Sequence, residues 1–156
     1  MLRFPVERGH ILELARATGE ADADFERTAA DPAVPLVAPL TFLRSSARFD
    51  RSNRLRPHPG EPWVGSGRTA TGTPDVQRRG TGLLAEQRFD YHRPVLAGDV
   101  LFAESRSGDS WTKQGRAGGR MVFSELITDY RDEKGELVAT AVRVTVEAAH
   151  VPSREA

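Results

Sequence analysis

The sequence predicts an α+β domain in which helices come first and an antiparallel sheet follows, with a helix packed on the sheet. Three observations carry this. Residues 1–50 place apolar side chains at helical spacing, and residues 83–151 alternate apolar and polar with period two. Between them, residues 51–82 hold six Gly and four Pro with few large apolar side chains, the composition of a long loop. No internal repeat is visible.

Ile11, Leu14, Ala15 and Thr18 recur at i, i+3, i+4 and i+7, one face of a helix. Glu7 falls in its expected first turn, where an anion suits the helix dipole, and Gly19 is its expected stop. Asp24 to Ala30 reads as a short helical turn ended by Asp31-Pro32, because the residue before proline avoids helical backbone. A second clear helix is predicted from about Pro39 to Phe49, with Pro39 in the first turn, where its missing N–H costs nothing. Leu40, Leu43 and Ala47 share one face of it, Phe42 and Phe49 flank that face, and Arg44, Arg48 and Asp50 turn outward. The 51–82 loop sets six Arg against Glu61 and Asp75, a net charge of +4, and only Trp63 and Val64 are expected to anchor it.

Leu83, Ala85, Gln87, Phe89 and Tyr91 alternate with Leu84, Glu86, Arg88 and Asp90, which marks a strand. Asp99 to Ser105 reads as a second strand that ends near Ser107-Gly108-Asp109. Met121–Tyr130 and Leu137–Ala148 read as strands joined by Asp132-Glu133-Lys134-Gly135, a tight hairpin signal. Val138, Val142, Val144 and Val146 suit a pleated, half-buried surface.

Composition narrows the class. At 156 residues the chain is expected to be one domain, residues 1–150, with 151–156 as a tail. Zero Cys removes a disulfide scaffold, a thiol nucleophile and any thiolate metal site. With 22 basic and 22 acidic side chains the net charge is zero, which argues against a nucleic-acid partner. A hydrophobic fraction of 38% supplies a core but is too diffuse for a membrane span. The opening residues, Met1 to Arg8, form no apolar signal region, so a cytoplasmic protein is expected.

Several short strings occur in order along the chain. They are Val6-Glu7-Arg8, Leu36-Val37-Ala38-Pro39-Leu40-Thr41-Phe42, Glu86-Gln87-Arg88-Phe89, His92-Arg93-Pro94-Val95-Leu96-Ala97-Gly98-Asp99, and Gly115 to Phe123. The ordered set resembles the MaoC-like dehydratase family. The closer likeness is to its N-terminal, FAS1-like branch, which includes substrate-binding subunits of mycobacterial (3R)-hydroxyacyl-ACP dehydratases. The resemblance implies a hot-dog fold, an antiparallel sheet wrapped around a long central helix, here about residues 39–49. It implies hydration or dehydration of an acyl thioester of CoA or acyl carrier protein. It also implies pairing as a homodimer, or as a heterodimer with a catalytic MaoC-like subunit.

Reversible water addition to an enoyl thioester needs a base to activate water and an acid to protonate the α-carbon. It also needs N–H donors aimed at the thioester oxygen. The catalytic branch of the family carries Gly-Asp-x-Asn-Pro-x-His after the first helix. The corresponding stretch here is Gly19-Glu20-Ala21-Asp22-Ala23-Asp24-Phe25. Glu20 stands for the Asp, Asp22 for the Asn and Phe25 for the His, and Phe cannot transfer a proton. Many family members also carry a His ahead of a Gly-Glu-Gln string; Leu84 and Ala85 stand there instead. Glu20, Asp22 and Asp24 either solvate a loop or hold one partial general base.

By the resemblance, Pro39, Leu40, Thr41, Phe42 and Leu43 lie near the acyl tunnel. His92 is either a turn-capping residue or, with Arg93, a contact for thioester or partner. Gly115 to Arg120 lacks the Lys-Ser/Thr of a phosphate loop and precedes a strand. It reads as a hairpin loop, with Arg116 and Arg120 as the alternative phosphate contacts. His58 and His150 read as surface residues. Four scattered His with no i, i+4 pair, and no Cys, predict no metal site; no cofactor is expected. Three functions remain open: a dehydratase subunit relying on a partner for the Asp/His pair, a homodimeric thioester enzyme using Glu20, Asp22 or Asp24, and a non-catalytic acyl-CoA or lipid-binding protein.

Overall fold

The computed structural model describes residues 1–53, 59–60, 83–115 and 119–148. The elements run β1 (Leu2–Pro5), α1 (Arg8–Thr18), α2 (Ala23–Ala30), a 3-10 helix (Phe42–Phe49), β2 (Leu83–Tyr91), β3 (Val100–Gln114), β4 (Arg120–Arg131) and β5 (Leu137–Ala148). The five strands form one sheet in the order β1-β3-β4-β5-β2. Every neighbouring pair is antiparallel.

Helix α1 ends where expected: Gly19 takes φ 78° and its N–H returns to the last turn. Glu7 sits just before the first turn rather than within it. Helix α2 is a true two-turn helix, started by Asp22, whose carboxylate accepts from the Asp24 and Phe25 N–H groups. Ile11 and Ala15 of α1 and Ala29 of α2 are buried.

The predicted helix from Pro39 to Phe49 is shorter and tighter than expected. Leu40 and Thr41 form a turn, and the 3-10 helix covers Phe42–Phe49. The Phe42 N–H reaches the Pro39 carbonyl and the Arg44 N–H reaches Thr41, both three residues back. Ser45, Ser46 and the two Phe are mediocre helix formers. Tertiary contacts set the geometry instead: the Tyr130 hydroxyl donates to the Leu43 carbonyl at 3.2 Å, and Ser46 Oγ lies 2.9 Å from the same hydroxyl. Phe42 stacks on Phe4 at a centroid distance of 5.7 Å, and Phe49 packs on Phe4 at 5.4 Å. The core sits here, among Phe4, Phe42, Ile11, Leu36, Leu43 and Leu101.

Two strand boundaries differ from expectation. Strand β1, at one edge, pairs Leu2–Pro5 with Val100–Ala103 inside a stretch that reads as purely helical in sequence. Strand β3 does not stop near Ser107-Gly108-Asp109; it continues to Gln114 across an irregularity between Ser107 and Ser110. A side chain at position 108 would crowd the neighbouring strand, since a Cβ there would lie 2.9 Å from Glu125 Cβ. A bulge absorbs the turn-like residues without ending the ladder. The remaining signals act as turns: Gly98 takes φ 97°, Gly135 takes φ 82°, and the Asp132 carboxylate accepts from the Lys134 and Glu136 N–H groups.

Candidate functional site

A groove of about 750 Å³ lies beside the 3-10 helix, between it and the sheet. Leu43, Arg44, Ser46 and Ala47 form one wall, and side chains from all five strands form the floor. Period-two alternation on β5 explains the floor: Ala141 and Arg143 face the groove, whereas Val142 and Val144 point to the opposite face. Small residues on the inner face leave room for the helix.

Polar groups in the groove are tied together. Arg44 Nη1 donates to Gln87 Oε1 at 3.2 Å, and Gln87 Nε2 donates to the Val142 carbonyl at 3.2 Å. Tyr130 is buried; desolvation raises its phenol pKa, partly offset by the Ser46 hydrogen bond and the Arg44 charge. At the helix entrance, the Tyr91 hydroxyl donates to the Leu40 carbonyl at 2.5 Å.

Burial pushes the Tyr91 phenol up to about 12 from 10.0, with Tyr130 acting in the same direction. The folded state then holds a proton that the unfolded chain releases first. This contribution to stability is complete below pH 10 and disappears as the pH climbs towards 12. Thermal midpoints are expected to fall over that window, and less steeply for Tyr91→Phe; equal slopes in both proteins would refute the assignment.

The predicted site residues lie in three places. Glu20, Asp22 and Asp24 are exposed at the α1–α2 corner and do not line the groove. Asp22 caps α2, and Asp24 is ion-paired with Arg27. Phe25, at the position of the family's His, is partly buried and packs against the core. In the second group Pro39 is buried and Thr41 exposed, while Phe42 and Leu43 belong to the core. Leu43 alone of Pro39–Leu43 lines the groove, and Leu40 is 73% exposed.

His92 is exposed past the end of β2, its N–H donating to the Val138 carbonyl. Arg93 Nη1 lies 2.7 Å from Asp99 Oδ2, and Nη2 lies 3.6 Å from Asp132 Oδ2, clasping two turns together. Third, Arg120 opens β4 and is exposed, beyond the hairpin closed by the Gly115 N–H to Gly119 carbonyl bond. Arg116, His58, His150 and Trp63 lie outside the described residues. Sequence reasoning passed over Arg143, Gln87 and Tyr130 as site residues and turned Arg44 outward. The one available signal was a charged side chain, Arg143, in phase with Ala139 and Ala141 on a strand.

The model of the FAS1-like dehydratase domain region matches residues 1–141. The chain belongs to the FAS1-like dehydratase family. A UPF0336 protein of Parafrankia sp. (strain EAN1pec) is 30% identical over 154 residues, spanning 97% of this chain and 89% of that protein. The C-terminally truncated HadBC complex of Mycobacterium tuberculosis, a (3R)-hydroxyacyl-ACP dehydratase, is 28% identical over 93% of this chain and 90% of its own, with a TM-score of 0.54. The ChsH1–ChsH2 complex of the same organism shares the fold at 19% identity, 97% and 84% coverage and a TM-score of 0.59. An (R)-hydratase of A. caviae shares it at 15% identity, 95% and 92% coverage and a TM-score of 0.52. This member of the FAS1-like dehydratase family therefore has the hot-dog fold, with the 3-10 helix in place of a long central helix. No helix among its described residues is long and apolar enough to cross a membrane.

Proposed function

We propose that this FAS1-like dehydratase family member is the acyl-binding subunit of a (3R)-hydroxyacyl-thioester dehydratase or enoyl-thioester hydratase. The acyl chain lies in the groove along the 3-10 helix against Leu43 and Phe89. A partner hot-dog subunit supplies the Asp/His pair. The carrying observation is Phe25: the position expected to transfer a proton holds a partly buried aromatic ring packed against the core. The nearby carboxylates of Asp22 and Asp24 are engaged as a helix cap and an ion pair. Leu40 and Val37, 73% and 50% exposed, offer the partner an apolar contact.

The test is co-expression with a MaoC-like subunit that carries an intact Gly-Asp-x-Asn-Pro-x-His string, followed by crotonyl-CoA hydration. General acid–base groups contribute about 10²–10⁴-fold, so the isolated chain is expected to be at least about 100-fold slower than the pair. A pair no faster than the catalytic subunit alone would sink the reading. Turnover by the isolated chain that Glu20→Gln, Asp22→Asn or Asp24→Asn abolishes would replace it with the homodimeric enzyme.

A further inference from the structure

Arg143 stands at the middle of β5, directly opposite Gln87 on β2 and Leu126 on β4. Its side chain lines the groove, yet it makes no hydrogen bond or ion pair with any described residue. Its Nε is shielded from water and has no partner. An N–H left in that state is costly, because a buried donor without an acceptor forfeits its hydration and gains nothing in return. Orphans of this kind in native folds call for a functional explanation.

The neighbours explain why nothing within the described residues answers Arg143. Gln87, the acceptor that the register places beside it, spends its oxygen on Arg44 and its amide on the Val142 carbonyl. Gln87 thus holds a second guanidinium, that of Arg44, in the lining of the same groove. Two acids also line the groove, Asp50 and Glu104. The Asp50 carboxylate accepts from the Ser52 N–H and hydroxyl at 2.8 and 2.7 Å, and Glu104 follows Ala103 out of phase with the inner face of β3. The same lining carries apolar side chains, Leu43, Phe89, Leu126 and Ala141, beside polar ones such as Ser46, Ser105 and Thr128.

We propose that Arg143 and Arg44 form an oxyanion subsite that binds the carboxylate or phosphate head of an amphiphilic small molecule whose aliphatic part lies along Leu43, Phe89 and Leu126. The planar guanidinium fork of Arg143 matches two oxygens of either head group, and Arg44 adds a second cation across Gln87. This contact is a property of the chain by itself and does not depend on the dehydratase reading, since binding without turnover satisfies it.

The experiment titrates the full chain with octanoate and, separately, with octyl phosphate. It is read by calorimetry and by the Arg Nε–H resonances in proton–nitrogen spectra. Arg143→Lys identifies the Arg143 resonance. Wild type is expected to bind at least one of the two with a shift of that resonance, and octanol at the same concentration to produce none. Arg143→Lys, which keeps the charge but loses the fork, is expected to weaken binding at least tenfold, and Arg44→Gln severalfold. Octanoate alone identifies a carboxylate ligand, octyl phosphate alone a phosphate ester, and both a general oxyanion site. No binding of either anion, octanol binding equally well, or undiminished affinity in a folded Arg143→Lys protein overturns the proposal. If Arg143→Lys fails to fold, Arg44→Gln decides, since Arg44 is exposed; undiminished affinity there overturns the proposal equally.

Discussion

Phe4→Ala is expected to destabilise the protein by about 3–5 kcal/mol. Phe4 is fully buried, and its ring packs against both aromatic rings of the 3-10 helix, Phe42 and Phe49. Its removal opens a cavity between the edge strand β1 and the helix that walls the groove, where the neighbours are fixed by the sheet and cannot collapse far. For a chain of this size the thermal midpoint is expected to drop by roughly 6–20 °C. Phe4→Leu keeps most of the volume and is expected to recover more than half of the loss. Denaturant melts of both variants check this; a cost for Phe4→Ala below about 1 kcal/mol would mean that β1 does not close the core.

Tyr130→Phe is the second. Among the described residues its hydroxyl links the sheet to the 3-10 helix through buried hydrogen bonds, to Ser46 Oγ and to the Leu43 carbonyl. Both partners lie on residues that are buried, so deleting the hydroxyl leaves an acceptor and a hydroxyl dry. The expected cost is about 1–3 kcal/mol. Ser46→Ala alone is expected to cost less, because Tyr130 still donates to Leu43. The double variant is expected to cost less than the sum of the two, since the shared bond is lost once. Strictly additive losses would show that the hydroxyls do not interact.

Much of this fold was legible in the chain because local patterns and tertiary structure agree. Ile11, Ala15 and Gly19 fix α1, and the Asp132–Gly135 turn fixes the β4–β5 hairpin. The misreadings come from residues whose partners are distant in sequence. The Pro39–Phe49 stretch has helical spacing, but Tyr130, 87 residues from Leu43, takes up the Leu43 carbonyl that an α-helix would use. Ser107-Gly108-Asp109 looks like a turn, but Glu125 of the neighbouring strand accepts the Asp109 N–H at 3.2 Å and carries β3 past it. Four residues of β1 gain a sheet role only by pairing with Val100–Ala103, and nothing in Leu2–Pro5 announces that.

The candidate groove was less legible for the same reason. Glu20, Asp22 and Asp24 stand together as a motif in sequence, and the fold sets all three at the exposed α1–α2 corner. Arg143 and Gln87 converge only through strand register, and Arg44 joins them only because the 3-10 helix lies across the sheet.

The outward face of β2 also carries a code. Strand β2 ends the sheet, so among the described residues its far side has no partner strand. Along it Glu86, Arg88 and Asp90 alternate in sign, and Arg88 is already bridged to Glu86 at 2.7 Å and to Glu125 at 3.3 Å. An arbitrary extended segment that zipped onto this edge would strand those charges against its own side chains. A strand that paired with this edge would have to set plus, minus and plus against Glu86, Arg88 and Asp90, since like charges directly opposite are destabilising.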